Sequence, residues 1–165
     1  GILQLFYADP KRWAYHFQTM VYSSRVQEIV KVYEKTVKEV GTENVIFILE
    51  RSPLTDTLFM EMLHESGTVT DLEMTSYRQW CDMWNQLVPF SINAFIFLDT
   101  PITTAMDRLK IRGRDGENIS IEYQTQLSHK HHTFFNGTKT HRGVTVPIHV
   151  LHDNVDLVSI QHLFV

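Results

Sequence analysis

Three arginines crowd the stretch DRLKIRGRDGENI: Arg108, Arg112 and Arg114 fall within seven residues, and Asp115 and Glu117 follow on either side of Gly116. Arg108 and Arg112 are four apart and share one helix face, with Arg114 just past a glycine stop. Guanidinium groups match phosphate oxygens through forked, charge-assisted hydrogen bonds, so the cluster suits a polyphosphate. On a closing segment it would neutralise charge on a transferring phosphoryl group and exclude water. Glu117, beyond the flexible Gly116, could enter the same site as that segment closes. The same residues also read as a solvated basic helix end complementing its dipole.

Two further stretches have the residue types to work with such a cluster. Glu50-Arg51-Ser52 ends an apolar run and precedes a helical segment. A carboxylate at a strand tip suits Mg²⁺, often through water, and an adjacent arginine suits a phosphoryl oxygen. A strand end closed by a salt bridge and a serine cap reads equally well. FYADPKRWAYHFQ carries Tyr7, Trp13, Phe17 and Gln18, with Arg25 two turns beyond Gln18 on the same face. A buried glutamine offers a donor and an acceptor together, as an aromatic base edge requires, and the rings offer stacking surface. The alternative is an ordinary aromatic core face.

These residues need elements to hold them. Three apolar runs read as buried parallel strands: NVIFIL (44–49), NAFIFLD (93–99) and VPIHVLH (146–152). They are β-branched or aromatic and lack period-2 alternation, as strands covered on both faces do. Helical segments lie between and after them at 13–41, 53–67, 70–88, 100–113 and 121–135. Gly41, Gly67 and Gly113 act as stops, Thr70 as an N-cap with Glu73 in capping-box register, and Pro101 opens a first turn. Alternating strands and helices predict a three-layer α/β fold with a parallel sheet, a single domain over 1–165 and a lid at about 112–120. In such sheets ligands sit beyond the carboxyl ends of the strands. Three strands make a thin sheet for this many helices.

The whole chain narrows the function classes. At 165 residues, 43% hydrophobic and 21% charged, it is long enough for a real core. A net charge of −4 argues against general nucleic-acid binding, so an anion site must be local. The only cysteine is Cys81, so no intrachain disulfide can form and a reducing compartment is expected. No apolar run approaches the roughly 20 residues of a membrane span. His129, His131 and His132 lie close together, and His129 with His132 or Asp153 would suggest zinc, but no cysteine or clear ligand spacing supports it, so a structural role is expected; Asn136-Gly137-Thr138 reads as a turn.

Taken in order, YADPKRWAYHFQT, ERSPLTD and RLKIRGRDGENI resemble the deoxyribonucleoside kinase family of the deoxycytidine and deoxyguanosine kinase type. The resemblance runs over essentially the whole chain, including the helix of Trp80 and Trp84 and the segment LSHKHHTFF. It implies a P-loop-kinase-like α/β fold and ATP-dependent phosphorylation of a deoxyribonucleoside at its 5′-hydroxyl, with Mg²⁺. By resemblance, Tyr7 and Glu117 hold the 3′-hydroxyl, Gln18 pairs with the base edge, and Phe17 packs beside it. Arg25 and Asp56 form a base-discriminating pair. Glu50 serves Mg²⁺, Arg51 contacts the phosphoryl group, and Arg108, Arg112 and Arg114 close on the ATP phosphates. It also implies a homodimer through residues 13–40 and 70–87, no membrane or nucleic-acid partner, and a cytoplasmic or mitochondrial setting whose targeting segment would precede Gly1.

The chain departs from the family pattern in three places. Met60 stands where the family commonly has a base-stacking aromatic. Gly116 stands where its deoxycytidine kinases carry a second acid, and the lid is one residue shorter before Ile121. No GxxxxGK[ST] occurs, so the phosphate-binding backbone nest and its lysine are lacking. In the family that loop and a catalytic Glu-Pro segment precede the Tyr7 region. The expectation is therefore the C-terminal portion of a longer kinase, carrying pocket and lid. The alternatives are an inactive nucleotide-binding or dimer-forming remnant, or a nucleoside monophosphate kinase of thymidylate type.

Overall fold

The computed structural model describes residues 1–43, 45–89, 91–114, 117 and 119–152. The chain forms two compact units, Gly1–Phe90 and Ser91–Val165.

The first unit is helical among the described residues: α1 (Ile2–Ala8), α2 (Pro10–Val40), α3 (Pro53–Glu65) and α4 (Asp71–Leu87). Local chemistry sets each boundary. Asp9 caps α2 by accepting from the Arg12 N–H at 3.2 Å, Pro10 pre-sets its first turn, and Gly41 ends it at φ 77°. Ser52 accepts from the Leu54 N–H at 2.9 Å to open α3, again with a proline at the first position. Thr70 Oγ1 accepts from the Glu73 N–H while Glu73 Oε2 accepts from the Thr70 N–H, a reciprocal capping box for α4.

Periodicity then sets the packing. Ala14, Gln18, Tyr22 and Val26 form the buried stripe of α2 at fourfold spacing, and Met74, Tyr77 and Cys81 form that of α4. They meet Met60 and Leu63 of α3, with Tyr22 and Tyr77 edge-to-face at 5.9 Å. The Tyr22 hydroxyl donates to the Cys81 carbonyl at 3.3 Å. Helix α1 was not anticipated from the sequence: it is short, buries no residue fully, and is held through Phe6 stacked on Phe17 at 4.8 Å.

The second unit contains β1 (Phe95–Asp99), α5 (Ile102–Arg112), α6 (Ile121–Phe135), β2 (Lys139–His141), β3 (Val144–Val146) and β4 (Ile148–His152). Strands β1 and β4 are parallel, in register from Phe95 opposite Ile148 to Asp99 opposite His152. Helix α6 packs on β1 through rings, with Phe97 and Phe135 stacked at 4.7 Å. This is the expected α/β architecture with a parallel sheet.

Two expectations change. Residues 45–49 form no strand, because a strand is defined by its ladder and no described residue supplies one to this segment. Its side chains still alternate: Ile46 and Ile48 are exposed, and Phe47 meets Tyr33 of α2 at 5.4 Å. The run 146–152 divides at Pro147, which cannot donate to a ladder. Val146 closes an antiparallel hairpin with β2, and the parallel strand starts only at Ile148. That hairpin turns on Arg142 and Gly143, both left-handed at φ 52° and 78°.

The Thr70 cap yields a direct test. Thr70→Ala should lower stability by about 1 kcal/mol in a denaturant titration, and Thr70→Ser should restore most of it. An unchanged midpoint for the alanine variant would show that the capping box contributes nothing net.

Candidate active site

In the first unit the structure brings together two of the residues singled out from sequence. The Arg25 Nη1 of α2 donates to Asp56 Oδ2 of α3 across 31 residues of chain. The Asp56 side chain is 5% exposed and that of Arg25 21%, so the pair is largely withdrawn from water. Burial pushes the Asp56 carboxyl above the ordinary aspartate range; Arg25, and then Arg51, pull it back without reversing the shift. Gln18 lies two turns before Arg25 on the same helix and is itself buried. Its side-chain amide has no hydrogen-bond partner among the described residues. Among the described residues the fully buried unpartnered side-chain atoms are Tyr77 Oη and Trp84 Nε1, so the Gln18 amide keeps access to solvent and can still give and accept a hydrogen bond.

The aromatic residues behave in two ways. Phe17 is engaged by Phe6, and Phe6 meets Tyr7 at 5.4 Å, so both predicted ring residues belong to the α1–α2 contact. Trp13 carries the Arg12 guanidinium over its ring at 5.0 Å. Met60 is fully buried in the helical core. An unbranched, adaptable side chain suits such a core position.

Glu50 is exposed and makes no hydrogen bond or ion pair among the described residues. A hard cation such as Mg²⁺ is commonly held by one or two carboxylates with substrate phosphates and water, and a single unengaged carboxylate fits that requirement. Among the described residues no three acidic, histidine or cysteine side chains converge on a metal-sized point. Arg51 has left-handed backbone at φ 61°, unusual for a residue with a Cβ, and its guanidinium lies over the Phe59 ring at 4.6 Å.

In the second unit, α5 presents the arginine cluster. Gly113 ends the helix in the left-handed region at φ 55°, donating back to the Leu109 carbonyl at 3.1 Å. Beyond it, Arg112 forks onto Glu117, with Nε–Oε2 at 3.2 Å and Nη2–Oε1 at 2.5 Å. The Glu117 side chain is 7% exposed and that of Arg112 43%. Arg108 and Arg114 are exposed. The lid thus has an internal bidentate pair, while Asp115, Gly116 and Asn118 lie outside the described residues.

Sequence reasoning missed several groups. Asp99, at the carboxyl end of β1, lies 3.1 Å from His132 Nε2 and 3.5 Å from His152 Nδ1. Only the fold joins residues so far apart in the chain. The histidine proposed as a zinc candidate, His132, therefore pairs with Asp99; Asp153 lies outside the described residues. Burial pushes the Cys81 thiol up to about 11, so it stays protonated at neutral pH and is no nucleophile.

Two measurements check this geometry. The folded chain holds the Asp56 proton more tightly than the unfolded chain does. Its contribution to stability is therefore greatest at acid pH and declines as pH rises from the ordinary aspartate range through the raised folded value. Asp56→Asn should remove that part of the slope in the difference between the two stability–pH curves; parallel curves would refute the raised proton affinity. For Arg51, glycine fits the left-handed backbone without a Cβ, so Arg51→Gly should be more stable than Arg51→Ala by about 1 kcal/mol in denaturant. Equal midpoints would show that the backbone there is unstrained.

Comparison with known proteins identifies the family. The family model for deoxynucleoside kinase matches residues 1–162. Deoxycytidine kinase 2 of Gallus gallus is 35% identical over 138 residues, covering 81% of this chain and 51% of that protein. Deoxycytidine kinase of Homo sapiens is 31% identical over 138 residues, covering 81% and 52%. Deoxyadenosine kinase of Dictyostelium discoideum is 30% identical over 135 residues, covering 80% and 51%. The chain spans about half the length of these relatives. With a family match over nearly its whole length, and a parallel α/β unit following a helical unit that carries a buried Arg–Asp pair, the chain belongs to the deoxynucleoside kinase family.

Proposed function

We propose that this chain supplies the nucleoside pocket and the phosphate-closing lid of an enzyme that phosphorylates a deoxyribonucleoside at its 5′-hydroxyl with ATP. The observation that carries the reading is the largely buried Arg25–Asp56 pair, with Gln18 two turns earlier on the buried side of the same helix, its side-chain amide making no hydrogen bond among the described residues. The amide can give one hydrogen bond to a base and accept another. A fixed carboxylate favours a base that presents an exocyclic amino group, as cytosine and adenine do, over thymine, which presents a carbonyl oxygen there. The names of the relatives above, deoxycytidine and deoxyadenosine kinases, point the same way.

The remaining residues take roles that their chemistry permits. Arg51, beside the base of α3, would meet the transferred phosphoryl group, and Arg108, Arg112 and Arg114 would neutralise the donor phosphates. Glu117, with Tyr7 on the nucleoside side, would take the 3′-hydroxyl. Glu50 is the residue that would hold Mg²⁺, which when bound offsets charge on the phosphates. No P-loop occurs in these 165 residues, so by themselves they should bind nucleoside without transferring phosphate. The exposed Met20, Val32 and Val37 of α2 and Trp80, Met83 and Leu87 of α4 are the apolar surface that a homodimer would cover.

Equilibrium binding followed by intrinsic tryptophan fluorescence provides the first test. Deoxycytidine and deoxyadenosine should bind at least about tenfold tighter than thymidine, a difference of about 1.4 kcal/mol, and Asp56→Asn should narrow that gap. Equal affinity for thymidine would overturn the assignment of the Arg25–Asp56 pair. For the lid, Glu117→Gln in the full natural chain should raise the nucleoside KM about tenfold while leaving the KM of a 3′-deoxy analogue unchanged. An equal effect on both substrates would remove Glu117 from the sugar site.

A further inference from the structure

We infer that Phe59 is a positioning residue for Arg51, and this rests on the reading that Arg51 meets the transferred phosphoryl group. Phe59 bears on no ligand by itself; its chemistry is that of a quadrupolar ring, negative on its face. The Arg51 guanidinium lies over that face at 4.6 Å. That contact engages the face of the guanidinium and is one of the interactions that locate it. Its N–H donors lie in the guanidinium plane and remain the groups that recognise phosphate.

Three constraints converge on this one side chain. The Arg51 backbone is left-handed, a conformation that persists only where its surroundings over-determine it. The next residue, Ser52, is pinned as the α3 cap: its hydroxyl accepts from the Leu54 N–H at 2.9 Å and its own N–H donates to Thr55 Oγ1 at 3.2 Å. The third constraint is Phe59 itself, within the same helix α3. The cap fixes where the arginine leaves the backbone, and the ring fixes where the far end of a long flexible side chain lies. A charged group held before its ligand arrives loses less freedom on binding, and that saving is larger in a transition state demanding tighter geometry. Phe59 is half-buried beside the buried Leu58 and Met60, so its ring is itself held by the helix that carries it.

Kinetics of the full natural chain with variants of these two residues tests the inference. Phe59→Leu should lower kcat about two- to fivefold, the range of a partly exposed cation–ring contact, with the nucleoside KM unchanged. Phe59→Trp should restore kcat, and in an Arg51→Ala background Phe59→Leu should cause no further loss. Replacing Phe59 by 3,5-difluorophenylalanine, which keeps the shape but weakens the ring quadrupole, repeats the test should the leucine variant fold poorly. An unchanged kcat in both ring variants, or an equal loss in the Arg51→Ala background, overturns the role of Phe59. Should Arg51→Ala itself leave transfer intact, the reading of Arg51 fails, and Phe59 with it. A loss with Arg51→Ala but none with either ring variant sinks the Phe59 inference alone.

Discussion

The helical unit is organised around one costly interaction, the Arg25–Asp56 ion pair. Removing a carboxylate and a guanidinium from water is unfavourable, and the Coulomb attraction between them only roughly offsets it. Once the elements around it have folded, the pair imposes a strict demand. Loss of either partner strands the other charge in a place that water hardly reaches, at a cost of about 3–5 kcal/mol. It therefore fixes the register of α2 against α3 more firmly than apolar contacts could, because apolar surfaces tolerate sliding and a paired charge does not. The Ala14, Gln18, Tyr22, Val26 stripe continues that register along α2, and Tyr22 carries it to α4 through the Cys81 carbonyl. A protein that needs only stability would do as well with leucines here. Keeping a buried ion pair beside a buried glutamine makes sense where polar groups have a ligand to read.

Core demands and ligand demands compete elsewhere in this unit. Among the described residues the Trp84 indole N–H is buried without a partner, the Tyr77 hydroxyl has only the weakly polar Cys81 thiol near it, and burial raises the proton affinity of Tyr77 strongly. Each unsatisfied group costs about 1–3 kcal/mol, and both lie on α4, the helix that packs across α2 and α3. With Asp56 also held partly against its charge, the interior of this unit is more polar than its small size would favour. The parallel pair β1–β4 is similarly modest in itself. Two strands rarely make a stable sheet, and here α6 stabilises them with a block of phenylalanines: Phe95 and Phe97 on the strand, Phe134 and Phe135 on the helix.

Much of this architecture was legible in the sequence where local rules suffice. Thr70 with Glu73 marked the start of α4, Gly113 the end of α5, and residues 121–135 the whole of α6, because caps and stops act within a few residues. The segments that failed depend on remote partners. Residues 45–49 have strand composition, but composition does not supply a ladder. The β2–β3 turn escaped notice because Arg-Gly lacks the asparagine or aspartate that usually marks a two-residue hairpin, leaving Arg142 to adopt positive φ itself. The candidate site divides along the same line. Arg108, Arg112 and Arg114 drew attention by crowding, whereas the pairing of Arg25 with Asp56 was reachable only through family resemblance. Phe59 gave no signal at all, since an aromatic two turns into a helix looks like core until the arginine before the cap is seen resting on it.

The arginines that could serve one reaction are held in three physically distinct ways, and the differences follow from exposure. Arg25 is half-buried against a buried carboxylate, where salt screens the attraction weakly and exchange for another anion would strand Asp56. Arg51 rests on a ring, a contact made with the face of the guanidinium, so its in-plane N–H donors are not what the ring engages. Arg112 forks onto Glu117, whose side chain is only 7% exposed, while its own stays 43% exposed, so the solvent side of this guanidinium is open to a further anion even as the carboxylate stays paired. One guanidinium is paired with a buried carboxylate between two helices, one lies on a ring before a helix cap and one is forked at a helix end with an open solvent side. Net charge and arginine content cannot separate these settings; the surroundings of each guanidinium do.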